Sequence, residues 1–394
     1  MNNKIKFLTL SIMLSAPTAF AANYAIEARG DAMGGVGVVS GSFLTGPFYN
    51  PALVAIYRRN DDVGMILPSI GFSYDDQDGM IDDLDTISDI LDKANNGDYS
   101  NVDQLGTTLD HINGSILNAE LGGVVAFAIP NQFIAANVYG KAYSETFSNP
   151  KIASASSCDP SLTTQQCTVD RAQRSTVNAV SVAVTEVGIS LAKYQTFLGQ
   201  HIAFGVTPKL QRIYTYVYEA SMSNYDLADV ADNGNGETMF NLDAGALWFY
   251  GPFRVGLAAS DMVSRDVQTL TIPSAVSGNP SLSYQYEMRP QYTVGAGIVA
   301  DYFTLSVDYD LNEKERYVDF NDNTQMIRVG GEIDILRQLK LRAGYYKNLA
   351  YDDSEGTITA GVGISPLNLF QLDLAASYTN ENAMGAYINF LASY

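Results

Sequence analysis

The feature of this sequence that most constrains its fold is a strict alternation of apolar and polar residues. Residues 303–310 and 370–379 show it most clearly. Successive side chains of a β-strand point to opposite faces, so each segment predicts a strand with one apolar and one polar face. A soluble β-sandwich also has such strands. Strands of about ten residues or more, joined by short turns and long polar loops in turn, are instead typical of a membrane barrel.

The same alternation predicts a whole set of strands. They span 62–74, 119–130, 131–146, 176–194, 200–219, 237–250, 253–263, 285–300, 303–313, 324–336, 339–348, 356–364, 369–379 and 383–394. Short turns and long connections alternate along this series, and bacterial barrels have an even number of strands. We therefore predict an all-β fold, a 14-stranded antiparallel transmembrane barrel over residues 62–394. Both termini would then be periplasmic and every long connection would lie outside.

The first long connection, 75–118, has a different periodicity. Met80, Leu84, Ile87 and Leu91 recur at helical spacing among aspartates, and the segment from Val102 repeats the pattern. This spacing predicts two amphipathic helices in the extracellular loop. Packing as a lid over the barrel mouth and docking of a partner protein are both compatible with it, and we favour the lid.

The N-terminus has the composition of a secretory signal peptide. Two lysines precede a short apolar run that ends in small residues, which predicts a signal peptide over 1–21 with cleavage near Ala21. With a barrel following, the expected location is the outer membrane of a Gram-negative bacterium. In an oxidising compartment Cys158 and Cys167, nine positions apart, are expected to form a disulfide. The terminal aromatic Tyr394 suits recognition by the barrel assembly machinery.

Composition excludes several classes of function. The chain has a formal net charge of -20 and lacks a basic stretch, so we expect no nucleic acid partner. A mean hydropathy of -0.02 is too polar for a bundle of membrane helices. His111 and His201 stand alone in unrelated segments. We therefore expect no metal, no cofactor and no enzymatic activity. The acidic loops do not match a calcium loop, and we expect them to be solvated or bridged to lipopolysaccharide by divalent ions.

A glycine-rich segment precedes the first strand. It reads Ala-Arg-Gly-Asp-Ala-Met-Gly-Gly from Ala28 and Phe-Tyr-Asn-Pro-Ala from Phe48. A phosphate-binding loop would need a strand before it and Lys-Ser/Thr after it, and neither is present. Glycine also permits tight turns and close backbone packing. We therefore predict that residues 22–61 form a plug inside the barrel.

These motifs resemble those of a known family. Arg29, Gly34-Gly35 and Asn50-Pro51-Ala52 are similar to the N-terminal hatch of FadL-like outer-membrane fatty-acid transporters, and more closely to their TraF-like branch, named after a plasmid transfer (conjugation) operon. The resemblance implies passive uptake of small hydrophobic molecules through a plugged barrel in the lipid bilayer. It also implies a set of plug residues that contact the ligand: Arg29, Gly34, Gly35, Phe43, Leu44, Phe48, Tyr49, Asn50, Pro51 and Ala52.

Two further expectations concern the wall and the lumen. The apolar phase changes at Glu186, which predicts a β-bulge there. In the resembled family a strand irregularity opens the wall, so Glu186 and the neighbouring Gly140 are candidate positions for a lateral gate. Charges of both signs lie on the polar phase of the strands, among them Asp243, Arg254 and Asp373. They would either form salt-bridged networks or simply solvate a narrow lumen.

The rival function is a structural one. In it, a plugged surface barrel associated with conjugal plasmid transfer moves no solute. An apolar pocket beneath the plug would favour transport, whereas a lumen closed by salt bridges would favour the structural role.

Overall fold

A computed structural model of the protein describes residues 27–57, 63–76, 78–225, 230–231, 233–318, 320, 322–352, 354–366 and 370–393. The predicted signal peptide, its cleavage site near Ala21, and Tyr394 lie outside these residues.

The fold is a closed antiparallel β-barrel of 14 strands, as the alternation predicts. The strands of the chain are β1 Gly64–Asp75, β2 Leu117–Ile129, β3 Ala135–Lys151, β4 Thr176–Phe197, β5 Gln200–Ser221, β6 Gly234–Tyr250, β7 Phe253–Ser260, β8 Arg265–Gln268, β9 Gln285–Met288, β10 Gln291–Val299, β11 Phe303–Asp310, β12 Met326–Ile335, β13 Leu339–Asn348, β14 Gly356–Ile364, β15 Phe370–Asn380 and β16 Ala383–Ser393. Neighbours in sequence pair around the wall, and β1 pairs with β16 to close it. Among the strands of the described residues, only β8 and β9 are not part of the wall; they form a separate hairpin between β7 and β10.

The single strand predicted over 285–300 is wrong, because the chain divides it at Arg289-Pro290. Residues before the break form β9 in the hairpin, and residues after it form β10 in the barrel. Proline has no backbone N–H to donate to the ladder and restricts the residue before it. The strand predicted over 253–263 also ends early, at Ser260, since Asp261 has a positive φ of 52°.

The predicted bulge at Glu186 is wrong as well. β4 keeps one register with β3 from Thr176 to Ala192, and Glu186 pairs with Lys141 and Gln211 in that register. The change of phase has a different cause. Val180, Val182 and Val184 face an apolar core inside the barrel, whereas Val187, Ile189 and Leu191 face outward and are exposed. Gly140 pairs regularly with Val187, so neither candidate gate position is irregular.

The wall is irregular in β1 instead. The register of β1 with β16 shifts between Ile66 and Ile70, and its register with β2 shifts between Ile66 and Ser69. Pro68 lies inside this interval and cannot donate to either neighbour. Both ladders of β1 are therefore disturbed at the same place.

The outer surface carries the apolar band of a transmembrane barrel. Side chains on the outward phase of the strands are exposed and apolar, with Val187 at 60% and Phe204 at 55% exposure. Such a band suits contact with lipid tails. Among the described residues, none of the helices combines the length and the apolar composition needed to cross a bilayer.

The long connections contain three helices that pack together. The two helices predicted in the first long connection are confirmed as α3 Met80–Asn95 and α4 Val102–His111, and α5 Thr164–Gln173 packs with them. (The plug contains the two earlier helices, α1 Ala28–Ala32 and α2 Gly46–Tyr49.) The predicted disulfide between Cys158 and Cys167 is also present and anchors α5. The apolar faces of these helices are buried against one another. Such packing is expected of a lid, whereas a docking face would leave apolar side chains exposed.

Candidate functional site

Residues 27–57 form a compact segment that packs against inward-facing side chains of the barrel wall, and we keep the name plug for it. Helix α1 leads through Met33 to Gly34 and Gly35, whose positive φ values of 71° and 79° turn the chain back. Such angles favour glycine because it lacks a Cβ. Helix α2 follows, and the segment ends in the 3-10 helix Pro51–Ala55. The predicted ligand-contact residues therefore lie in one small unit.

Arg29 joins the plug to the wall by a largely buried ion pair. Its Nε and Nη2 donate to the two carboxylate oxygens of Glu332 on β12, at 3.0 and 3.2 Å, and its Nη1 donates to Ser40 O at 2.8 Å. Paired hydrogen bonds of this kind fix direction as well as distance. Glu332 also accepts from Arg342 at 2.6 Å, so the plug joins a charge network of the wall.

Asn50 holds the second half of the plug together. It is fully buried, and its Nδ2 donates to Val38 O at 3.0 Å within the plug and to Ala246 O of β6 at 3.2 Å. Its Oδ1 accepts from Ala52 N at 3.0 Å, which caps the 3-10 helix that begins at Pro51. An Asn cap followed by proline suits a helix start, since proline needs no acceptor there. The Asn-Pro-Ala motif thus has a structural role, because the Asn50 amide both donates and accepts at this position.

Glycines on the inner wall let the plug backbone come close. A Cβ added at Gly330 would lie 2.6 Å from the carbonyl carbon of Met33, and one at Gly295 would lie 2.7 Å from Val38 Cβ. Similar conflicts with the plug arise at Gly205, Gly245, Gly256, Gly344 and Gly361. Sequence analysis missed this glycine belt, defined as these seven residues. A recurrence of glycine on the polar phase of successive strands is the signal that points to it.

Polar side chains of the wall complete the docking. Asp308 Oδ2 accepts from Gly37 N at 2.7 Å and from Val38 N at 2.9 Å. Asn137 donates to the carbonyl oxygens of Phe43 and Leu44, at 3.0 and 2.9 Å. Buried backbone groups of the plug thereby find partners that water would otherwise supply. Further contacts of this kind come from Arg254, Thr359 and Asn389. Asn137, Thr359 and Asn389 carry no sequence signal that sets them apart from other polar strand residues.

The apolar plug residues divide between two places. Phe43 and Leu44 are buried against Ile66 of β1 and Val124 of β2, in an apolar cluster that Ala126, Ala128 and Tyr139 complete. Phe48 meets the ring of Tyr139 edge-on, at 5.4 Å between centroids.

A second group of plug residues meets the opposite wall. Phe48, Tyr49 and Pro51 line a small cavity of about 110 Å³, which also contacts Lys209 and Asp308. Ala52 packs with Leu53 and Leu247 in a separate apolar cluster. The predicted ligand residues therefore do not converge on one apolar pocket, and their role in binding stays a prediction.

The charges on the polar phase form networks, which decides between the two expectations for them. Lys209 lies 2.9 Å from Asp243, 2.8 Å from Asp261 and 3.5 Å from Glu186, and all four side chains are buried or nearly so. Buried charges of this kind persist only when paired and hydrogen-bonded. Lys209 and Asp261 were not among the charges noted in the sequence.

Two more networks connect strands of the wall. Arg342 bonds Glu332 at 2.6 Å and Asp373 at 2.7 Å. Arg328 donates hydrogen bonds to both carboxylate oxygens of Asp310, at 2.9 and 3.1 Å. Ion pairs therefore line the lumen beside the plug.

A larger cavity, of about 600 Å³, lies between the plug and the long connections. Its floor includes Asp31, Gly34 and Gly35 of the plug, and Glu120 and Tyr387 are part of its wall. We call it the vestibule. Its lining mixes hydroxyl, amide and carboxylate groups with aromatic and aliphatic surface, so it is not the purely apolar pocket that would favour transport.

Burial changes the ionisation of two carboxyl groups in α1. It raises the pKa of Glu27 to about 7, although Arg29 opposes the shift. It also raises the pKa of Asp31 well above its ordinary value, with the charges of Glu27 and Glu120 adding to the effect. A carboxyl with a raised folded pKa costs folding free energy once it ionises, so Glu27 weakens plug docking as the pH rises from 4.5 towards 7.

Comparison with solved structures places the fold. The chain is similar to the toluene transporter TbuX of Ralstonia pickettii, with 12% identity, 93% of this chain and 97% of that chain covered, and a TM-score of 0.53. It is similar to the monoaromatic hydrocarbon channel CymD, with 14% identity, 94% and 99% coverage and a TM-score of 0.54. A FadL homologue of Pseudomonas aeruginosa gives 11% identity, 96% and 99% coverage and a TM-score of 0.53. Identities this low establish the shared fold alone.

Comparison of sequences establishes the family. No curated protein sequence matches the chain significantly. The family described as "F plasmid transfer operon, TraF, protein" matches residues 47–310, which is more than half of the chain. The resemblance seen in the plug motifs is thereby confirmed. The chain belongs to the family of F plasmid transfer operon TraF proteins, built on the fold of FadL-like outer-membrane transporters.

Proposed function

We propose that this protein is an outer-membrane channel for the passive, non-enzymatic uptake of small hydrophobic molecules. The observation that carries the proposal is the apolar cluster around Phe43 and Leu44, because it lies against β1 where both ladders are irregular. From the inside outward, the apolar plug side chains lie against the irregular part of the wall, and the apolar outer surface of the barrel lies beyond it. Solved channels of the same fold bear the names of hydrocarbon and toluene transporters.

The geometry supports a route through the wall in preference to one along the axis. Ion pairs around Lys209 and Arg342 line the lumen beside the plug, and an apolar molecule gains nothing by displacing them. At β1, by contrast, Ile66 and Ser69 flank a stretch that lacks regular pairing with both neighbours. Separating strands costs least where their hydrogen bonds are already fewest. In this proposal the molecule passes from the plug to the bilayer beside Pro68.

Several other features belong to the same proposal. Residues 22–61 form the plug, and the predicted contact residues from Arg29 to Ala52 bind or position the ligand. Export follows cleavage near Ala21, and the barrel assembly machinery inserts the chain. The acidic outer loops meet lipopolysaccharide through divalent cations.

A reversible cross-link tests the route. Ser69 of β1 and Val124 of β2 are paired and both point inward, so Ser69→Cys with Val124→Cys would bridge the irregular ladder. Toluene uptake into cells is measured with the pair oxidised and reduced. Uptake should fall on oxidation and recover on reduction.

The control pair lies on a regular part of the wall. Thr357→Cys with Thr379→Cys joins β14 to β15, where the two native hydroxyls lie 2.7 Å apart. This variant also reports any effect of reducing the native disulfide. Equal loss of uptake in both oxidised pairs would contradict a route at β1.

The structural role in conjugal transfer is the second candidate. It is favoured by the closure of the lumen with ion pairs, which is the arrangement expected of a barrel that moves no solute. In that case, toluene uptake by cells with the unmodified protein would equal uptake by cells without it, and neither cross-link would change it.

A further inference from the structure

The vestibule has a charge pattern that does not suit a neutral hydrocarbon. Six carboxyl groups line it: Asp31, Asp75, Asp78, Glu120, Asp322 and Glu355. Two basic side chains, Arg316 and Arg328, line it too. The described part of the wall therefore presents an excess of acidic groups to the cavity.

Both arginines are engaged by carboxylates outside the vestibule. Arg316 Nε lies 2.7 Å from Glu145 Oε2, and Arg328 binds both oxygens of Asp310. Neither Glu145 nor Asp310 lines the vestibule. The positive charges at its edge are thus offset locally, so the acidic groups determine the potential inside it. A negative lining in a confined space concentrates cations and repels anions.

Asp31 is the carboxyl group at the floor of the vestibule. Its Oδ2 is shielded from solvent and has no hydrogen-bond partner among the described residues. Glu120 stands nearby and is held by Ser73 at 3.2 Å and Asn118 at 3.3 Å. Because burial raises the pKa of Asp31, its carboxyl keeps a proton until a cation takes the place of that proton.

Aromatic faces complete the recognition of a cation. Tyr74, Tyr346, Tyr351 and Tyr387 line the same cavity. The face of an aromatic ring attracts a cation, and the attraction grows when water is excluded. Tyrosine rings also pack well against an apolar part of a ligand. A volume of about 600 Å³ is within the range of small-molecule sites.

We propose that the vestibule binds small amphiphilic organic cations, with an ammonium group at Asp31 and Glu120 and an apolar body against the tyrosines. The inference rests on the proposed uptake function and narrows its substrate class. Molecules that carry a positive head group would be collected first, before any passage towards β1.

Three molecules of one size test the proposal: benzylamine, benzyl alcohol and benzoate share a ring and differ in charge. Their binding to the purified full-length mature protein is measured by equilibrium dialysis in a non-ionic detergent. Benzylamine should bind roughly tenfold more tightly than benzyl alcohol, and benzoate should not bind. Benzyl alcohol or benzoate binding as tightly as benzylamine would overturn the inference.

Matched variants locate the site. Asp31→Asn and Glu120→Gln should each weaken benzylamine binding by about tenfold and leave benzyl alcohol binding unchanged. Asp92→Asn removes an exposed carboxyl from α3 and should alter neither. Heat-dependent gel migration checks that each variant is a folded barrel. Benzylamine affinity that survives both vestibule substitutions would refute the site.

Failure of this inference can be told apart from failure of the proposed function. The cross-link experiment uses toluene, which has no charge and does not depend on the vestibule carboxyls. Toluene uptake with no preference for benzylamine would leave the channel and remove the cation site. Preferential benzylamine binding without toluene uptake would keep the site and remove the apolar channel on which its role rests.

Discussion

Replacement of Asn50 by alanine should release the second half of the plug without unfolding the barrel. The side chain joins three groups: Val38 O and Ala52 N in the plug, and Ala246 O in β6. Ala246 also belongs to the regular ladders with β5 and β7, so its carbonyl retains the surroundings of a sheet. The two plug groups lose their side-chain partner while they remain buried.

The size of the effect follows from these contacts. A buried donor or acceptor left without a partner costs about 1–3 kcal/mol. Two such groups, Val38 O and Ala52 N–H, give a loss of about 3 kcal/mol in the free energy that keeps the plug docked. Since 1.4 kcal/mol corresponds to a factor of ten, local opening should become about a hundredfold more frequent.

Hydrogen exchange read by mass spectrometry measures this opening segment by segment. Amides of residues 46–55 should exchange about a hundredfold faster in Asn50→Ala, whereas those of β12 should not change. Asn96→Ala is the control, because Asn96 makes one exposed hydrogen bond at the end of α3. Unchanged exchange in the plug, or equal acceleration in β12, would refute the docking role assigned to Asn50.

Three further predictions concern the wall and the lid. Gly330→Ala forces a Cβ against the Met33 backbone and should let small solutes leak through reconstituted barrels. The control Gly331→Ala, on the opposite face of β12, should keep the barrels closed. Equal leakage in the two variants would argue against the glycine belt. Arg342→Met leaves Asp373 buried without its cation and leaves Glu332 with Arg29 alone. It should lower the urea-unfolding free energy of the barrel by about 3–5 kcal/mol, and a loss below 1 kcal/mol would contradict the network. The protonated His111 ring donates a hydrogen bond to the Asp83 carboxylate, and this bond, helped by the negative charge of Asp83, raises the pKa of His111. The bond between α3 and α4 is therefore complete below pH 6.5 and is lost as the pH rises through the folded pKa. Lid exchange rates, corrected for intrinsic chemistry, should increase over that range in the native protein and not in His111→Gln.

The architecture of the barrel was predictable because two independent patterns agree. Alternation fixes the strand faces, and the order of short and long connections fixes the strand number. The error at 285–300 shows the limit of the first pattern. Residues 285–288 alternate as well as 291–299 do, but they pair in a separate hairpin that is not part of the barrel wall. Alternation reports which faces differ in polarity, and it carries no information on which strand is the neighbour.

The phase change in β4 was misread because two environments act on one regular strand. Near Val187 the surroundings are lipid outside and polar groups inside, so apolar side chains point outward. Near Val182 the interior is an apolar core that includes Tyr286 and Tyr317 from later connections, so apolar side chains point inward. Those tyrosines are more than a hundred residues away in sequence, and local periodicity cannot show that they return to this wall.

The site was predictable only in part. The motifs at Arg29 and Asn50 indicate a plug, since a buried arginine and an Asn-Pro-Ala helix start need specific partners. The partners themselves, Glu332 and Ala246, lie some 300 and 200 residues further along the chain. Nothing in a single sequence distinguishes them from other residues on the same phase. The vestibule was missed for the same reason, because its lining comes from the plug, the first strands and the last strands together.

The plug meets the two sides of the barrel in different ways, and this difference limits where a passage can open. From β5 to β14 it contacts glycines at backbone distance, where displacement requires whole segments to move. Beside β1 and β2 it contacts the wall through the side chains of Phe43 and Leu44, which meet Ile66 and Val124. Side chains change rotamer at far lower cost than a docked backbone shifts. The irregular pairing of β1 occurs on this same side. The part of the plug that moves at the lowest cost therefore lies against a part of the wall where both ladders are disturbed.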